Sequence, residues 1–165
     1  MKKIVLVDKK DKIVGYGDKE KCHQGEGILH RACIVFVFNQ NGQLLIQKRS
    51  KLKKLWPLFW DNSCSSHPQK GETYLKTIKR RLKEELGFSC QPKFVDKFQY
   101  QARYKNIGSE NEVCAVFVGK YNGKIKPNLK EITNWKWVEL REFKKDIIKN
   151  PNKYTPWLKI GLTKI

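Results

Sequence analysis

Glu110 and Glu112 stand two residues apart in the stretch Ser109-Glu110-Asn111-Glu112-Val113. On an extended strand both carboxylates would leave the same face and could converge on one cation. A second group of charges lies on an amphipathic segment ending at Gly87. At about 100° per residue, Leu75, Ile78, Leu82 and Leu86 fall within one ~80° apolar stripe, which predicts a packed helix. Glu84 points nearly opposite the stripe and is expected to be solvated. Glu85 lies roughly 65° from the stripe's centre, at the border where a side chain can enter a cleft, with Arg81 one turn before it. Carboxylate oxygens suit hard cations, and guanidinium suits phosphate. The chain has three histidines, His23, His30 and His67; each taken alone is more often structural than ligating. Its five cysteines, Cys22, Cys33, Cys64, Cys90 and Cys114, are odd in number and include no C-x-x-C pair. They read as reduced thiols rather than as a disulfide framework or zinc ribbon.

The elements that must position these groups are short. Ile4–Val7 and Ile13–Tyr16 flank a polar Asp8–Lys12 stretch and predict an opening hairpin. Ala32–Phe38 and Gln43–Lys48 flank Asn39-Gln40-Asn41-Gly42, whose Asn-Gly is a hairpin signal. Phe59–Cys64 is expected to form one further strand, and Lys93–Tyr104 and Glu112–Tyr121 two longer ones before Asn122-Gly123 turns the chain. The charged helix is expected from about Glu72 to the Gly87 stop. Trp135–Val138 reads as the last strand, followed by a helix over Arg141–Lys149 and, after Pro151 and Pro156, another from about Trp157.

At 165 residues the chain is expected to be one domain, 1–165. Hydrophobic residues at 39% with 12% aromatics argue against disorder. No apolar run approaches the ~20 residues of a membrane span, and Ile4–Val7 is too short for a signal-peptide core. A cytoplasmic monomer is the resulting expectation. Lys and Arg number 35 against 16 Asp and Glu, a net +19 that could draw nucleic acid, anionic lipid or a phosphorylated metabolite. The lysines are spread along the chain with no basic tail, so a Lys-rich solvated surface is the plainer reading than a nucleic-acid footprint.

Ser66 through Phe88 resembles the Nudix box G-x5-E-x7-R-E-U-x-E-E-x-G-U, with matches at Glu72, Arg80, Leu82, Glu84, Glu85, Gly87 and Phe88. Ser66 replaces the opening Gly. Arg81 replaces a Glu that hydrolytic members use to hold Mg²⁺ and activate water, and a basic side chain there removes an oxygen ligand and adds a repelling charge. The rest of the chain resembles the type I isopentenyl-diphosphate isomerases, a Nudix branch that moves a double bond. The resemblance is carried by His23 and His30 at the family's spacing, Trp56-Pro57, Trp60-x-Asn62-Ser63, His67-Pro68, Arg80-Arg81, Glu110-Asn111-Glu112-Val113-Cys114 and Thr155-Pro156-Trp157.

That resemblance implies an α+β fold, a Nudix-type α/β/α sandwich with a mixed central β-sheet and the Nudix helix. It implies an enzyme of isoprenoid biosynthesis, an intramolecular isomerase interconverting isopentenyl and dimethylallyl diphosphate by protonation and deprotonation. The family's metal site falls on His23, His30, His67, Glu110 and Glu112, a donor set suited to Mn²⁺ or Zn²⁺. Mg²⁺ would arrive with the diphosphate and be held through Glu85; the plainer reading of that residue is a surface ion pair with Arg81. Lys19, Arg49, Lys53 and Arg81 would grip the diphosphate. Glu112 and Tyr100 would serve one face of the substrate, with Trp157 beside the carbocation.

The opposite face belongs in the family to a cysteine two residues before the third histidine, and here that position is Ser65. A hydroxyl is far less acidic than a thiol of pKa ~8.5, so reduced activity is expected. Cys64 is adjacent, but successive strand residues face opposite ways, which predicts a buried structural thiol. Two other readings stand beside the isomerase: a Nudix hydrolase of a nucleotide or isoprenoid diphosphate, and a non-catalytic phospho-ligand or RNA-binding module.

Overall fold

The computed structural model describes residues 2–165. Strands β1 (Lys3–Val7) and β2 (Ile13–Asp18) form the expected antiparallel pair and run into a one-turn helix α1 (Lys19–Cys22). Then come β3 (His30–Phe38), β4 (Leu44–Arg49), β5 (Trp60–Asp61), β6 (Cys64–Ser66), α2 (Tyr74–Leu86), β7 (Lys93–Tyr104), β8 (Gly108–Lys120) and β9 (Ile132–Val138). Helices α3 (Leu140–Lys149) and α4 (Pro156–Leu162) close the chain.

The nine strands make one mixed sheet around β3 and β8, which pair in parallel from His30 opposite Glu112 to Phe38 opposite Lys120. β3 is a near-continuous apolar run because both of its faces are covered. On one face Cys33, Val35, Ala115 and Phe117 pack against Ile78, Leu82 and Leu86 of α2. On the other, Ala32, Ile34, Phe36, Cys114 and Val116 pack against Phe143 of α3 and Trp157, Leu158 and Leu162 of α4. Helices therefore cover both sides of the mixed sheet, the α/β/α sandwich expected of a Nudix fold. Gly161 lets α4 approach closely: a Cβ there would run into Ile34 Cδ1.

Several boundaries differ from the sequence reading. Phe59–Cys64 is not one strand but two short ones, broken at Asn62 and Ser63. Their side chains replace ladder bonds, Asn62 Nδ2 donating to the Val35 and Cys64 carbonyls and Ser63 Oγ to the Leu45 carbonyl. The Asn39–Gly42 turn forms, with Asn39 Oδ1 accepting from the Asn41 and Gln43 amides, but β3 and β4 pair only at Phe38 and Leu44. β3 turns instead to β1, β6 and β8, and β4 to β5 and β9. β8 begins at Gly108, four residues before the expected Glu112, because β7 keeps pairing with it to Tyr104.

α2 starts at Tyr74, capped by Thr73 Oγ1, and ends where Gly87 adopts φ +76°. Glu72 lies outside the helix and folds back, accepting from the Gln69 amide, the Thr77 hydroxyl and Arg80. Arg80 holds its pKa at about 2 against some desolvation. Leu75, expected in the apolar stripe, is 45% exposed, and Tyr74 takes the sheet-facing place in the first turn, packed against Phe117.

Candidate active site and metal centre

The parallel register of β3 and β8 brings His30 level with Glu112, and Glu110 lies one strand period earlier on the same face. His23 follows α1 and His67 follows β6. One donor atom from each of His23, His30, His67, Glu110 and Glu112 lies within 4.8 Å of all the others. Protonated at Nδ1, the first two rings donate to backbone carbonyls, His23 to Lys19 at 2.5 Å and His30 to Ile28 at 2.7 Å. That turns each Nε2 inward and fixes the tautomer a metal ligand needs.

His23 Nε2 and Glu110 Oε2 are 2.8 Å apart, yet they are misaligned, and both, with His30 Nε2, are buried without a hydrogen-bond partner. Buried polar atoms are rarely left so, because each costs about 1–3 kcal/mol. A cation between them would satisfy all three, so this donor set fits a divalent metal. In the ion-free cluster desolvation pulls His30 down, but Glu110 and Glu112 outweigh it and hold its pKa at about 10.

Glu112 links the cluster to the apolar core. Its Oε1 is 2.8 Å from His67 Nε2, and its Oε2 accepts from the Tyr100 hydroxyl at 2.7 Å. Tyr100 is buried opposite Glu112 on β7, and burial followed by the Glu112 charge pushes its pKa well up.

Ser65 pairs with Ile34 on β3 and so faces the α4 side of the sheet, the side that carries His30 and Glu112. Its hydroxyl donates to Asn62 Oδ1 at 2.9 Å, and Asp61 Oδ1 is 3.4 Å away. Trp157 Nε1 donates to Asp61 Oδ1 at 2.7 Å and to Ser65 Oγ at 3.1 Å. Asp61 is 1% exposed and also accepts from Thr155 Oγ1, the Asn62 amide and Arg49. Burial raises its pKa, against the pull of Arg49, Thr155 and Trp157. Cys64 points the other way, into the core beneath α2, where burial drives its thiol pKa far up.

A cavity of about 300 Å³ joins these groups. His23, His67, Glu110, Glu112, Ser65 and Trp157 line it, together with Lys19, Arg49, Lys53 and Arg81. Arg49 is braced by the Leu55 and Trp56 carbonyls and lies over the Trp157 ring at 5.2 Å. Lys53 is paired with Glu131, which also accepts from Arg81 at 3.2 Å. Burial works against the ionisation of Glu131, but Lys53 and Arg81 outweigh it and keep its pKa at about 2. Desolvation and the nearby charge of Lys53 lower the pKa of Lys19. Five cations, these four and Lys54, thus line the same cavity as the metal-binding groups.

The model of the NUDIX domain matches residues 28–158. An isopentenyl-diphosphate Delta-isomerase 2 of Photorhabdus laumondii subsp. laumondii is 42% identical over 94% of this chain and 88% of its own length. An isopentenyl-diphosphate Delta-isomerase of Burkholderia multivorans is 35% identical with the same two coverages. The chain belongs to the isopentenyl-diphosphate Delta-isomerase family of NUDIX proteins. The fold has solved counterparts as well. DR0079 from Deinococcus radiodurans superposes with a TM-score of 0.78 at 20% identity over 98% of each chain. A MutT protein from Methanosarcina mazei Go1 gives 0.67 at 17% identity over 82% of this chain and 91% of that one.

Of the site residues expected from sequence, this family member gathers the five His and Glu ligands into one cluster, and four of them, with Ser65, Trp157 and the four cations, line one cavity, His30 lying buried behind it. Tyr100 and Glu85 do not line it. Tyr100 reaches it through Glu112. Glu85, expected at a cleft border, is buried, accepting from Gln47 Nε2 at 3.0 Å and Arg81 Nη2 at 2.5 Å. The Arg81–Glu85 pair is therefore a buried one rather than a surface one, because β4 and the chain around Asn128 pack over that end of α2. Glu84 is exposed as expected and bonds Arg80 and Arg81. Sequence reading missed Asp61 and Glu131. No periodicity marks either one; only the fold surrounds each with donors.

Proposed function

We propose that this protein interconverts isopentenyl and dimethylallyl diphosphate by adding a proton to the terminal alkene carbon and removing one from the carbon on the other side of the resulting tertiary cation. The observation that carries the reading is that one cavity is lined by Lys19, Arg49, Lys53 and Arg81 together with Glu112, Ser65 and the Trp157 ring. The cations take the diphosphate, Arg81 and Arg49 as forked donors and the lysines as point charges. Glu131 releases Arg81 and Lys53 as the diphosphate arrives.

The alkene then lies by Glu112, whose bond to Tyr100 holds a carboxyl and a phenol ready to supply or accept a proton on one face. Trp157 offers the tertiary carbocation a π-face and no nucleophile, worth roughly 0.5–2 kcal/mol. Ser65 faces the remaining side. His23, His30, His67, Glu110 and Glu112 would hold Mn²⁺ or Zn²⁺, which supplies fixed positive charge that orders the carboxylates. Glu85 would hold the Mg²⁺ that accompanies the diphosphate once Arg81 turns from it to the phosphate oxygens. The same single domain, residues 1–165, carries every one of these groups.

The test is to supply isopentenyl diphosphate with Mg²⁺ and Mn²⁺ and to measure dimethylallyl diphosphate and free phosphate together, for the wild type and for Ser65→Cys. Isomer forms without phosphate release, and faster in the variant, because a thiol is the better proton acceptor. Phosphate release without isomer would overturn the reading in favour of a hydrolase.

A further inference from the structure

Asp61 is a fully buried carboxylate to which the chemistry above gives no role. It stands behind Ser65: the cavity reaches the serine hydroxyl and not the aspartate. Burying a carboxylate is costly unless donors surround it, and here four do, Trp157, Thr155, the Asn62 amide and Arg49. Three of these donors, together with Ser65 Oγ at 3.4 Å, converge on one oxygen, Oδ1. The indole N–H of Trp157 bridges Oδ1 and Ser65 Oγ, holding the two oxygens in register. Asn62 presents its own Oδ1 to Ser65 because its Nδ2 is committed to the Val35 and Cys64 carbonyls. The serine proton thus has two acceptors and exchanges them by rotating about one bond.

We propose that Asp61 is the proton acceptor of the Ser65 face, working through the serine hydroxyl as a relay in place of a thiol. This rests on the isomerase reading above. Once the carbocation has formed, Ser65 Oγ takes a proton from the neighbouring carbon while its own hydroxyl proton passes to Asp61 Oδ1. The C–H electron pair becomes the new π bond, the serine ends as it began, and the aspartate becomes a carboxylic acid. The reverse reaction runs the same transfers backwards, and neither needs an oxidant or co-reactant. The serine never has to exist as an anion, which removes the objection to an alcohol at this position. Burial also favours the role, since a carboxylate in a dry environment is a stronger base than one in water.

Asp61 does not touch the substrate, so it is a positioning and relay residue, and its test must separate relay from structural support. Asp61→Asn keeps the shape and the acceptor for Trp157 but cannot take the proton. In the Ser65 protein it lowers kcat by about 10²-fold or more, the usual cost of losing an acid/base group, while KM moves little. Introduced together with Ser65→Cys it leaves kcat close to that of Ser65→Cys alone, because the thiolate accepts the proton itself. Ser65→Ala, at a half-buried position where the change is small, matches the loss of Asp61→Asn, and combining the two adds little. An equal kcat loss from Asp61→Asn in both backgrounds, a change confined to KM, or wild-type kcat in Ser65→Ala would each overturn the relay. Isomerisation by Ser65→Cys but not by the wild type would overturn the relay alone. Absence of isomerisation in both would overturn the isomerase reading, and the relay with it.

Discussion

Replacing Trp157 by Phe removes one N–H and part of one ring from a site where both are used. The lost N–H is the shortest bond to Asp61, at 2.7 Å, and it also reaches Ser65. A hydrogen bond to a buried charge contributes about 1.5–3 kcal/mol, and three other donors remain, so about 2 kcal/mol is the expected polar loss. The missing ring leaves a void against Trp56 and Tyr100 that adds about 1 kcal/mol. The sum, about 3 kcal/mol, corresponds to a fall in Tm of roughly 6–12 °C for a protein of this size.

The polar part of that loss is pH-dependent. Burial raises the folded-state pKa of Asp61, so its ionisation costs stability as pH rises through that value, and losing Trp157 Nε1–H raises the pKa further. The variant's penalty is therefore full where Asp61 is ionised and shrinks as acid protonates it. Urea unfolding of both proteins across an acid titration reads this directly. A Trp157→Phe protein as stable as the wild type, or a penalty unchanged by pH, would refute the placing of a charged Asp61 beneath the indole.

Three further outcomes follow from the same structure. Mn²⁺ at about a hundred times its Kd raises stability by about 2.7 kcal/mol. At neutral pH its binding expels a proton from His30, whose pKa is about 10 in the ion-free cluster, so calorimetry in two buffers of different ionisation enthalpy shows proton release and affinity weakens with acid. Glu72→Gln costs about 1–3 kcal/mol at neutral pH; with a folded pKa near 2, the contribution is present above the ordinary carboxylate value and is lost as pH falls toward 2, as acid titration of the two proteins will show. Cys64→Ala lowers stability by about 1 kcal/mol and leaves kcat unchanged, since the thiol faces the core under α2.

The sequence made the α2 stripe, the limits of β7 and the opening hairpin legible because each follows a period set by one packed face. The metal centre was legible only through the family resemblance, strand spacing by itself showing no more than that Glu110 and Glu112 share a face. What the sequence hid depends on long-range packing. The break at Asn62 and Ser63 arises only when β3 and β4 offer carbonyls to those side chains. The burial of Glu85 depends on Gln47, thirty-eight residues away. Asp61 looks like any polar residue between Trp60 and Asn62 until Arg49, Thr155 and Trp157 are folded around it.

The central claim, that this cavity moves protons on an isoprenoid diphosphate without cutting it, is tested most directly by following the metal-loaded protein and isopentenyl diphosphate in D₂O by NMR. The account predicts deuterium entering the carbon skeleton as dimethylallyl diphosphate appears, with total diphosphate constant. Release of phosphate with no deuterium on carbon would contradict it.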